Sequence, residues 1–152
     1  MAHLGYVEDA AWRKSMSRGK ADHALYWTLH REHGFELFAR FFALLRSDGV
    51  DLGRIGKTWP NADEARSAYA IAYLSLAAGQ NLADVVRAAG VGDAPADWSA
   101  IHPDKPFRPY VVTATEVQGI LDTRERLFGQ GASEVPEDEV TRFRAGGAFV
   151  AR

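Results

Sequence analysis

A chain of 152 residues fits one domain and can bury roughly 70% of the surface its unfolded form exposes, so it needs no covalent staple. At 47% hydrophobic and 25% charged residues its composition is that of a globular chain and excludes a disordered one. The lack of cysteine excludes a disulfide framework, a thiolate nucleophile and any Cys-based zinc or iron–sulfur site, and a net charge of −2 is a poor footprint for nucleic acid.

The opening stretch, MAHLGYVEDAAWRK, has no apolar run of signal-peptide length, and no stretch approaches the roughly 18 apolar residues of a membrane span. The expectation is a cytoplasmic protein with no membrane partner.

The punctuation predicts an all-α fold, a single helical domain over 1–152 with about five helices. It also predicts an extended proline-containing arm over 92–112 and an extended tail over 146–152. The first and longest helix is expected from near Lys20 to Arg46. Phe38, Phe41, Phe42 and Leu45 stand at i, i+3, i+4 and i+7, the spacing of a helix that buries one face. Leu25 and Leu29 extend that face backwards, and Gly49 follows the end. Gly53, Gly56 and Pro60 predict a loop. Asn61 with Glu64 reads as a capping box for a helix through Ala68, Tyr69, Ala72, Tyr73 and Leu76, stopped by Gly79. A short helix follows from Asn81 to Ala89, capped by Asn81 and closed by Gly90.

Pro103, Pro106 and Pro109 then recur at every third residue, with Pro95 before them, a spacing that favours a polyproline-like arm over helix. Thr113 and Glu116 form a second capping box, opening a helix that carries Val117, Ile120, Leu121, Leu127 and Phe128 and ends at Gly129 and Gly131. Pro136 suits a first helical position, and Glu137, Asp138 and Glu139 after it match the helix dipole. That last helix holds Val140 and Phe143 and meets Gly146 and Gly147.

The densest set of ligand-type residues is His23, His30 and His33 on the first helix, with Glu32 and Glu36 within reach along the chain. Di-iron sites in helical bundles use Glu-x-x-His pairs, and no Glu or Asp here stands three residues before a His. Surface or hydrogen-bonded core histidines are the preferred reading. No serine lies in a Gly-x-Ser-x-Gly elbow, and Gly53-x-x-Gly56-Lys57-Thr58 lacks P-loop spacing. Asn81 to Val91 imitates the first helix and turn of a helix-turn-helix. The recognition helix would fall on Gly92 to Ala100, which holds Pro95 and two aspartates that phosphates would repel. A glycine-capped short helix is preferred.

What remains is apolar surface. Trp27 and Trp59 read as core. Trp12, Phe107, Arg108, Tyr110 and Phe149 lie near the start, in the arm or in the tail, and are of the types that anchor interfaces. They are the candidate partner-contact residues, and no residue is nominated as catalytic, cofactor-binding or metal-ligating.

Both ends of the chain resemble the small γ subunit of the hydroxylase in soluble di-iron monooxygenases of the methane- and butane-oxidising type. The first block runs from MetAlaHisLeuGly through Trp12-x-Lys14 and Ala24 to Leu29-His30-Arg31-x-His33 and Phe38. The second holds Lys105-Pro106-x-x-Pro109, then Leu121, Arg124 and Glu125, then Pro136, Glu137, Arg144 and an apolar tail. Residues 46–100 do not match. The resemblance implies a helical, non-catalytic subunit that stabilises the large subunit housing the di-iron centre. Its partners would be the large and medium hydroxylase subunits of an α2β2γ2 assembly that oxidises a small hydrocarbon with dioxygen and NADH. This chain itself would bind no cofactor. The competing readings are a nucleic-acid-associated helical protein using residues 81–100, and a stand-alone metal protein built on His23, His30 and His33.

Overall fold

A computed structural model describes residues 18–58, 62–89, 98–104, 106, 111–129 and 135–146, and every regular element among them is a helix. In chain order these are α1 (Arg18–His33), α2 (Glu36–Asp48), α3 (Leu52–Thr58), α4 (Ala62–Ala78), α5 (Ala83–Ala88), α6 (Trp98–Ile101), α7 (Ala114–Phe128) and α8 (Glu137–Arg144). The all-α class expected from the sequence is therefore the observed one. By contacts the chain divides into two compact units, Met1–Phe35 with Asp84–Val111, and Glu36–Ala83 with Val112–Arg152.

The long first helix expected from Lys20 to Arg46 is in fact two. Gly34 takes φ 71°, a left-handed conformation that glycine adopts without a Cβ penalty, and its N–H donates to the His30 carbonyl at 2.8 Å. That closes α1, and α2 starts afresh at Glu36 with an acid in its first turn.

In the second unit α4 is the centre, packed against α2, α3 and α7, while α8 lies on α7. Residues around its whole circumference are buried, among them Ala68, Tyr69, Ile71, Ala72, Tyr73, Leu74 and Ala77, as befits a helix enclosed by its neighbours. The buried hydroxyl of Ser75 is satisfied: its Oγ donates to the Ile71 carbonyl at 2.6 Å and accepts from the Leu82 N–H at 2.9 Å. Gly79, at φ 72°, ends the helix where the sequence placed the stop.

α2 buries Leu37, Phe41 and Leu45, a stripe that continues to Asp48. Phe42 was expected on that face and is instead 57% exposed. It lies roughly 100° round the helix from the middle of the stripe, because the buried row steps by four from Leu37 rather than centring on Phe38. The loop expected through Gly53 and Gly56 is also corrected: α3 forms there. Asp51 Oδ1 accepts from the N–H groups of Gly53 and Arg54 at 2.9 and 3.2 Å, an aspartate N-cap, and Ile55 is buried.

The short α5 keeps its expected cap, with Asn81 Oδ1 accepting from the Ala83 N–H at 3.0 Å. The arm expected to be extended over 92–112 contains a helical turn, α6, at Trp98–Ile101; residues 92–97, 105 and 107–110 of it lie outside the described set. α7 has its capping box in full: Thr113 Oγ1 accepts from the Glu116 N–H at 3.2 Å, and Glu116 Oε2 accepts from the Thr113 N–H at 2.7 Å. Pro136 is the N-cap of α8 rather than its first residue, and Glu137, Asp138 and Glu139 fill the first turn. Phe143 is fully buried, tilted against Tyr69 at 5.4 Å and edge-on to Phe128 at 5.7 Å. The Asn61 cap and the tail beyond Gly146 fall outside the described residues.

Candidate interaction surface

Two constellations stand out, one in each unit, and they differ in what they can do. In the second unit the last residue of α2, Asp48, is a buried carboxylate. A charge there costs solvation, and a negative charge at a helix C-terminus also opposes the dipole, so its partners must compensate. They come from three helices. Tyr73 of α4 donates its hydroxyl to Asp48 Oδ2 at 2.7 Å. Arg124 of α7 donates Nε to Oδ2 at 2.6 Å and Nη2 to Oδ1 at 3.3 Å, a two-pronged ion pair. Arg144 of α8 donates Nε to the Asp48 main-chain carbonyl at 2.9 Å, satisfying one of the orphan carbonyls at the end of α2. The Arg144 guanidinium also lies 5.9 Å from the centre of the Phe128 ring. Gly49, at φ 67°, leaves the room: a Cβ on it would stand 3.1 Å from Arg144 Nε.

An acid, a phenol and two guanidiniums look like catalytic material, but the geometry points elsewhere. The Asp48 carboxylate is enclosed and Arg124 is only 21% exposed, so a substrate has little access to either. Burial, then the hydrogen bond and the charge of Asp48, push the Tyr73 hydroxyl well above the ordinary tyrosine value, and burial does the same to Tyr69. Neither phenol is a base near neutrality. The cluster ties α2, α4, α7 and α8 together.

The surface feature lies on α1 in the first unit. Tyr26 and Trp27 are 50% and 43% exposed, and Phe35, just past the helix, is 78% exposed. Trp27 was expected in the core; among the described side chains of α1 the buried ones are Leu25 and Leu29, and Trp27, two residues from each, falls on another side of the helix. His30 holds the group together, edge-on to Trp27 at 5.7 Å and to Phe35 at 4.3 Å. The result is an aromatic patch with a polar ring at its middle.

The other sequence candidates fare unevenly. Trp12, Phe107, Arg108, Tyr110 and Phe149 all lie outside the described residues, as does Trp59. Of the three histidines, His30 and His33 stand on the last turn of α1; the side chain of His23 lies outside the described set. Among the described residues no three His, Asp or Glu side chains are grouped to hold a metal ion. Of residues 92–100, where a recognition helix would have to fall, only 98–100 are among the described residues, in the single turn of α6. Among the described residues no helix is long and apolar enough to cross a membrane. Comparison with protein-family models, with curated proteins and with solved structures gives no match.

Proposed function

We propose that this chain is a non-catalytic helical subunit that works by binding and stabilising a larger catalytic partner. The observation that supports this is the exposed aromatic pair Trp27 and Phe35, joined through the His30 ring. Large aromatic side chains gather at interfaces because each carries much apolar area at low entropy cost, and clustered ones mark contact sites more often than scattered ones do. In its finer form the proposal rests on the resemblance. The assembly is the α2β2γ2 hydroxylase of a soluble di-iron monooxygenase acting on small hydrocarbons, with large and medium subunits as partners. The aromatic pair lies inside the first block of that resemblance, which runs from MetAlaHisLeuGly to Phe38. The di-iron centre belongs to the large subunit. This chain has no Glu-x-x-His pair with which to build one.

The test is co-purification with a large subunit whose sequence carries paired Glu-x-x-His motifs. Trp27→Ser with Phe35→Ser, and separately Phe107→Ala with Arg108→Ala, should each weaken assembly while circular dichroism shows the helices intact. A truncated aromatic or Arg hot spot costs about 2 kcal/mol or more, roughly thirtyfold in affinity. Both double variants assembling as well as the parent would defeat the reading.

A further inference from the structure

We draw no further inference here: the strongest candidate, the aromatic patch of α1 around Trp27, His30 and Phe35, belongs to the surface already described, and nothing in the structure shows what covers it.

Discussion

Replacing Asp48 by alanine removes the acceptor on which three donors converge, Tyr73 Oη and the Nε and Nη2 of Arg124. Breaking a buried ion pair by deleting one partner costs about 3–5 kcal/mol, because the other charge is left unpaired in a poor solvent. Arg124 is 21% exposed and can partly rehydrate, which places the cost near the low end. Removing a negative charge from the C-terminus of α2 returns about 0.3–1 kcal/mol. The expected loss is therefore about 2–3 kcal/mol, a large share of a domain stability of about 5–15 kcal/mol. Tyr73→Phe alone deletes one hydrogen bond to a charged group, about 1.5 kcal/mol. Because both changes act on one bond, the double variant should lose about 1 kcal/mol less than the sum. The assay is urea unfolding followed by circular dichroism, with an unchanged denaturant slope as the sign that the denatured state is the same. Asp48→Leu, Tyr73→Phe and Arg124→Met together should recover most of the loss, since an apolar replacement of a whole buried pair is often neutral. Asp48→Ala costing under about 0.5 kcal/mol, or strict additivity with Tyr73→Phe, would refute the account of the cluster as the tie between helices.

The tyrosines set the alkaline limit. Burial raises the Tyr69 and Tyr73 hydroxyls above the ordinary tyrosine value of 10.0 in the folded state, so their contribution is complete below pH 10 and is lost as pH rises beyond it. Urea midpoints should fall above that pH, and less so in Tyr73→Phe; a flat profile would contradict the burial argument. On the acid side, Arg126 holds the exposed Glu139 carboxyl below its usual range by a hydrogen bond, so stability should fall slightly as pH drops through that range, and Arg126→Gln should remove this small dependence. Thr113→Ala should cost about 1 kcal/mol in thermal or urea unfolding by opening the α7 capping box, and no change would mean that the helix start is held by packing alone. Gly146→Ala should cost more than about 1 kcal/mol, since φ is 75° there and the new Cβ would stand 3.1 Å from Ile55 Cγ2; a neutral outcome would mean that α3 yields at no cost.

Features set by neighbours in the chain were the legible ones. The Thr113–Glu116 box, the Asn81 cap and the Gly79 stop each depend on residues within a few positions, and each stands where the pattern put it. Asp51 is just as local a signal, but Gly53 and Gly56 outweigh it, and the stretch that forms α3 reads as a loop in the sequence. The break at Gly34 was hidden by apolar spacing that runs on from Leu29 towards Phe38. The polar cluster was out of reach for a different reason. Asp48 meets Tyr73 and Arg124 across 25 and 76 residues, and no short-range pattern announces a pairing made by tertiary packing. The aromatic patch is half legible: the histidines stand out in the sequence for metal chemistry, while Trp27, which meets His30 edge-on, reads there as core.

The proposed role requires this chain to assemble with a catalytic subunit. The direct measurement is size-exclusion chromatography of this chain co-expressed with a large subunit bearing paired Glu-x-x-His motifs, with iron quantified across the elution. This chain should elute with the large subunit, iron should follow the complex, and this chain alone should carry none. Stoichiometric iron on this chain alone, lost in a variant with His30→Ala and His33→Ala, would contradict that role, as would separate elution of the two chains.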